Sequence, residues 1–167
     1  MKQQDASWSF LPRDLEQIDR LLLSFLDATS ARCALLVDRS GQLLTSAGDG
    51  LTFDGTAFAS LAAADFAASD QLAQLLGEDE FKSLYHQGAT DSMYLVDVGG
   101  RAILAALFTG ATTLGLVRLT TRNLLPEIET LFQTVSARGA HPPDQPQYFD
   151  SGWLSEAEGE IDKLFAD

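Results

Sequence analysis

Chemically useful side chains are sparse in this 167-residue chain, which holds two histidines, one cysteine and three lysines. His86 has no Cys or His neighbour at metal-ligand spacing and His141 lies far from it, so a structural or surface role outweighs that of a general base or ligand. Cys33 opens the apolar run Cys33 to Val37 and reads as a small hydrophobe. Alone it closes no internal disulfide and builds no metal site, which suits a reducing compartment. None of Lys2, Lys82 and Lys163 follows a glycine, so the phosphate-cradling loop of an NTPase is missing, and no Gly-x-Ser-x-Gly elbow presents a serine nucleophile. Glu78/Asp79/Glu80 and Glu127/Glu129 read as solvated helix ends, not acid and base couples. Arg101, Arg118 and Arg122 fall on or beside predicted strands, where a solvated edge charge outweighs catalysis. The expectation is a protein with no catalytic residue, no metal and no cofactor.

Charge excludes further classes. Twenty-four acids against 11 bases give a net charge of -13. Scattered Lys and Arg in a field of carboxylates cannot displace the counterions of a duplex or dock on an anionic bilayer, so neither nucleic acid nor a polybasic membrane contact is expected. The longest apolar run, Ala102 to Phe108, is too short to span a bilayer. With no apolar stretch after Lys2 of the secretory kind, the expected location is cytoplasmic. The length and 46% hydrophobic content describe one globular domain. Residues 139 to 167 hold seven acids against Lys163, a net -6, which leaves -7 for residues 1 to 138.

The elements that must position any site follow from periodicity. Leu15, Ile18, Leu22, Phe25 and Leu26 recur at helical spacing after Pro12 and predict a helix over about 12 to 29. Cys33 to Val37 reads as a strand covered on both faces, turning at Asp38 Arg39 Ser40 Gly41 into a second strand, Gln42 to Ala47. Thr56 to Leu76, ended by Gly77, predicts a long helix. Three strands are expected next: Ser92 to Val98, Arg101 to Phe108 after a Gly99 Gly100 hairpin turn, and Leu114 to Thr121. A helix over Leu124 to Ala137 closes a 1–138 body. The order α-β-β-α-β-β-β-α predicts an α+β fold, a five-stranded, mainly antiparallel sheet with helices on both faces. Pro142, Pro143 and Pro146 mark 139–154 as a linker. Beyond it, Ser155 and Glu158 have capping-box spacing ahead of Ile161, Leu164 and Phe165, so 155–167 reads as an acidic amphipathic helix that needs a surface to pack on. Tyr148 and Trp153 suit equally a partner anchor or a fold back onto the body.

The second helix is the most informative element. Residues 57 to 76 hold eight alanines, and Ala59, Ala63 and Ala67 form an i, i+4 row bordered by Ala62 and Ser69. Such a row lets another backbone approach closely, whereas Phe58, Leu61, Leu72, Leu75 and Leu76 have the bulk to pack onto a sheet. The expectation is therefore alanines outward and leucines inward, with self-association through the small-residue row. The alternatives are that alanine is simply the best helix former, or that the row lies under a neighbouring element of the same chain.

Four segments, in order, carry a resemblance: Ala34 to Leu43, Leu75 to Phe81, His86 to Ala89 and Leu114 to Leu119. Together with Glu160 to Phe165 they resemble the Roadblock/LC7 superfamily, and within it the bacterial MglB branch. The resemblance implies a homodimer with antiparallel second helices and third strands paired edge to edge, with Ser92 to Val98 at the seam and Ala59, Ala62, Met93 and Leu95 in the interface. It implies an MglA-like Ras-like GTPase as partner, held by Ala63, Ala64, Ala67, Asp70, Gln71 and Gln74, in cell polarity and motility, with the protein concentrated at a cell pole. Asp65 and Asp70 depart from the small or neutral residues of related helices. The resemblance further implies that the dimer speeds GTP hydrolysis by repositioning the GTPase's own residues, and that the tail, through Ile161, Leu164 and Phe165, influences nucleotide exchange. The second helix contains no arginine, so its surface could not supply the finger that many activators insert. A scaffold that binds a GTPase or receptor without activating it, and a small-molecule sensing domain, are the alternatives; dense apolar filling of the central strands argues against the sensor.

Overall fold

A computed structural model describes residues 10–49 and 52–140. They form α1 (Pro12–Thr29), β1 (Cys33–Asp38), β2 (Leu43–Gly48), α2 (Gly55–Leu75), β3 (Ser83–Gln87), β4 (Ser92–Val98), β5 (Ala102–Phe108) and α3 (Leu114–Ala140). The element order is the expected one, and the five strands form a wholly antiparallel sheet in the order β2-β1-β5-β4-β3.

Two of the expected elements are corrected. Leu114 to Thr121 is not a strand but the first two turns of α3, which continues unbroken through Pro126 to Ala140. Thr113 accepts a hydrogen bond on Oγ1 from the Leu116 N–H, a cap on the helix start. Val117, Thr121, Leu124, Ile128, Leu131 and Val135 are then all buried at three- and four-residue steps, a helical period across the whole segment. Arg118 and Arg122 accordingly sit on a helix. The fifth strand is instead Ser83 to Gln87, whose polar sequence gives little strand signal. α3 also runs past its expected end at Ala137, to Ala140. The remainder of the 139–154 linker and the 155–167 helix lie outside the described residues.

The sheet separates two cores. On one face α1 and α3 bury Ile18, Leu22, Phe25, Ile128, Phe132 and Val135 against Ala34, Leu36, Val96, Leu104 and Phe108. On the other α2 alone packs on Cys33, Leu35, Val37, Leu95, Ile103 and Ala105. Strand residues therefore alternate between two apolar covers, which explains why β1 and β5 are continuously hydrophobic. Asp14 joins the two helices of the first face: its Oδ2 accepts from the Leu11 N–H at 2.8 Å and from Arg138 Nη2 at 2.7 Å. Burial would raise this carboxyl, but the Leu11 N–H and the Arg138 guanidinium outweigh it and hold the group below its ordinary value. Gly99 and Gly100 both take positive φ in the β4–β5 turn, as a tight hairpin requires.

Candidate functional site

α2 begins at Asp54, whose carboxylate accepts from the Thr56 and Ala57 N–H groups. Its orientation largely reverses the expectation from sequence: of the bulky row only Phe58 packs against the core, and of the Ala59, Ala63 and Ala67 row only Ala67 stays exposed. Ala59, Ala62 and Ala63 lie against the sheet at no more than 9% exposure, together with Phe66, and Ala73 is buried as well. Leu61, Leu72, Leu75 and Leu76 point away from it, at 57% to 83% exposure. The reason is volume. The sheet beneath supplies the bulk through Leu35, Val37, Leu95 and Ile103, so small residues let the helix settle closely. The approach is tight enough that a Cβ on Gly41, in the β1–β2 turn, would meet the Ser60 Cα at 3.1 Å.

Two exposed strips result. Leu61, Ala64, Ala68, Leu72 and Leu75 recur at three- and four-residue steps and are all solvent-facing, an apolar stripe opposite the buried one. Beside it run Ala67, Gln71 and Gln74, also exposed. Of the residues expected at a partner surface, Ala64, Ala67, Gln71 and Gln74 are thus accessible and Ala63 is buried. Asp70 is turned inward.

Both departures from the family pattern have partners within the chain. Asp70 Oδ2 accepts from Arg39 Nη1 at 3.3 Å, while Arg39 Nη2 donates to Asp97 and the guanidinium lies 4.8 Å from the centre of the Phe66 ring. Asp97 also accepts from the Gly100 N–H, so one arginine connects the β1–β2 turn, the β4–β5 turn and α2. Asp65 pairs with His86 Nε2 at 2.7 Å, linking α2 to β3. This gives His86 the surface role expected of it. Nothing in the spacing of Arg39 signals its contacts.

The expected interface strand is corrected as well. β4 is paired on both sides, with β3 and β5, and Leu95 is fully buried beneath α2, with Met93 packed beside that core. Ser92 to Val98 therefore has no free edge. The edges of the sheet are β2 and β3, so the third strand in chain order is Ser83 to Gln87. Cys33 is buried, and burial pushes its thiol up, away from a reactive thiolate. Glu80 is held below its ordinary value by a hydrogen bond from Lys82, the opposite of a carboxyl tuned as an acid. No helix of the described residues is long and apolar enough to cross a membrane.

The sequence pattern of the Roadblock/LC7 domain matches residues 17–108, more than half of the chain. The chain belongs to the Roadblock/LC7 family. Among solved structures it resembles Myxococcus xanthus MglB, at 39% identity and a TM-score of 0.68 over 71% of this chain and 96% of that one. It resembles the gliding protein MglB of Thermus thermophilus, at 28% identity and a TM-score of 0.71 over 78% of this chain and 99% of that one. An MglB with a tetrameric arrangement matches at 28% identity and a TM-score of 0.74, over 79% and 99%. The residues matched to the family, 17–108, span the sheet and α2, where the exposed strips lie.

Proposed function

We propose that this chain is an MglB-like homodimeric regulator of an MglA-like Ras-like GTPase, acting in bacterial cell polarity and motility from the cytoplasm and concentrated at a cell pole. The observation that carries this reading is the outward leucine stripe of α2 on a subunit similar to MglB. Three exposed leucines on one helix, Leu61, Leu72 and Leu75, form with Ala64 and Ala68 an apolar surface that water disfavours, and a second α2 laid antiparallel would cover it. The dimer contact is thereby assigned to Leu61, Ala64, Ala68, Leu72 and Leu75, with the β3 edges beside them, in place of Ala59, Ala62, Met93 and Leu95. Across the paired helices, Ala67, Gln71 and Gln74 remain free to meet the GTPase.

The same chemistry supports activation without an inserted arginine. α2 contains none, and Arg39, the cation packed beneath it, is committed to Asp70, Asp97 and Phe66. A surface of small and amide side chains can press a partner's own residues into place but cannot neutralise phosphoryl charge. The acidic tail, through Ile161, Leu164 and Phe165, is the segment assigned to nucleotide exchange.

Sedimentation and single-turnover GTP hydrolysis by an MglA-type GTPase of the same organism test the reading together. The wild-type chain should sediment as a dimer and raise turnover. Leu61→Glu/Leu72→Glu, which changes only exposed positions, should yield a folded monomer that does not. A dimer that binds the GTPase and leaves turnover unchanged would make it a scaffold. A wild-type monomer indifferent to the GTPase would overturn the reading.

A further inference from the structure

On the face of the sheet opposite α2, the first half of α3 and the strands β3 and β4 enclose a groove of about 540 Å³. Its lining combines apolar side chains, the buried Val96, the half-buried Leu125 and the exposed Leu119, with the basic Lys82, Arg118 and Arg122. In a chain with a net charge of -13, three cations on one groove are a local inversion of sign. Lys82 is shared with Glu80, but Arg118 and Arg122 are exposed, stand one helical turn apart and have no ion-pair partner among the described residues. The Thr121 hydroxyl at the groove is buried and likewise unpartnered among them.

We propose that this groove is the docking site, within the same subunit, of the chain's own acidic segment 155–167. The segment offers the complementary pattern. Ile161, Leu164 and Phe165 fall on one side of a helical projection, among Glu156, Glu158, Glu160 and Asp162. Leucine and phenylalanine suit the apolar part of the lining, and carboxylates suit two guanidiniums, which take them in forked hydrogen bonds. The reach is sufficient. Arg122 lies about 27 Å along α3 from Ala140 at ~1.5 Å per residue, and residues 141–154, drawn out, span up to about 46 Å at ~3.3 Å per residue. Docking needs no GTPase. It withdraws Ile161, Leu164 and Phe165 from any other partner, so the groove and that partner compete for one apolar stripe.

The test uses the full chain carrying a nitroxide at Ala166→Cys, the native Cys33 being buried. Amide signals of Lys82, Gly115, Leu119 and Arg122 should be lost through paramagnetic broadening, while those of β2 at the far edge of the sheet persist. Arg118→Glu/Arg122→Glu, two exposed positions, should restore the lost signals. Adding Glu156→Lys, Glu158→Lys and Glu160→Lys to that variant should remove them again, which a merely unfolded or disturbed protein would not do. Broadening that survives the arginine reversal, or that falls elsewhere, overturns the proposal. Broadening that passes from a spin-labelled chain to a label-free copy in a mixture places the tail on a second subunit and also overturns it. Groove amides that shift with inorganic phosphate but ignore the nitroxide would make this a small-anion site instead.

Discussion

The two faces of the sheet are finished differently. Against one, α1 and α3 send most of their large side chains inward and cover most of the sheet within the subunit, leaving only Leu23, Leu116 and Leu119 exposed among their large apolar residues and a groove beside β3. Against the other, α2 sends alanines inward around the buried Phe66, with Phe58 packed beside them, and leaves its leucines outside. A largely closed face has spent most of its apolar surface on folding; an open face keeps a whole stripe of it for association. In this fold the position of the bulk, on the strands or on the helix, decides which kind of face results. α2 rests on strands already rich in Leu, Val and Ile, and a second layer of large residues between them would overpack the interface.

The largest expected effect tests the tight seat of α2. Phe66→Ala should lower unfolding stability by about 3 to 5 kcal/mol in urea titrations, because neighbouring alanines cannot swing into the void. Phe132→Ala, on the closed face among longer and more adaptable side chains, should cost less. Equal losses would mean that the two faces collapse alike and would erase the contrast. Next comes Arg39→Ala, which removes two ion pairs and the cation over Phe66 and should cost about 2 kcal/mol. Its coupling to Phe66→Ala in a double-mutant cycle should be clearly non-additive, since both changes loosen the same contact.

These residues also mark where sequence reasoning stops. The closed face was legible: Ile18, Leu22, Phe25 and Leu26 keep one helical phase, and their partners on β1 and β5 form unbroken apolar runs. α2 was legible only as a helix with two apolar faces. Periodicity separates the faces but carries no sign, and choosing the inner one needs the volume of the sheet beneath, a tertiary quantity. Val117, Thr121 and Leu124 continue the phase of Ile128 and Leu131, yet the β-rich run from Leu114 to Thr121 matches a strand just as well, and Pro126 disguises the continuity. Ser83 to Gln87 was missed for the opposite reason. An edge strand with one sparse apolar face is held by pairing with β4, and no local pattern announces that.

A smaller effect concerns the closed face alone. Asp14→Asn should cost about 1 to 2 kcal/mol at neutral pH by weakening charge-assisted bonds to Leu11 and Arg138. Its sign with pH follows from the direction of the shift. The folded carboxyl lies below the ordinary value of 3.8, so its contribution is present above that value and disappears as pH falls through the lowered folded one. Urea midpoints of wild type and Asp14→Asn should therefore differ at pH 7 and converge as the solution is acidified below about pH 4. A gap that widens on acidification would assign the wrong sign to this carboxyl and remove it as the clamp between α1 and α3.

The smallest effect on the isolated subunit is the sharpest probe of the open face. Leu75 is 83% exposed, and glutamine is nearly as good a helix former as leucine. Leu75→Gln should therefore change the stability of the monomer by no more than about 0.5 kcal/mol. If the stripe is covered by a second copy, the wild-type melting temperature rises with protein concentration, because association favours the folded state by mass action. The variant should lose much of that dependence while matching the wild type at high dilution. A concentration-independent wild type would show that exposed leucine on α2 contributes nothing to self-association, and the difference between the two faces would then be one of packing alone.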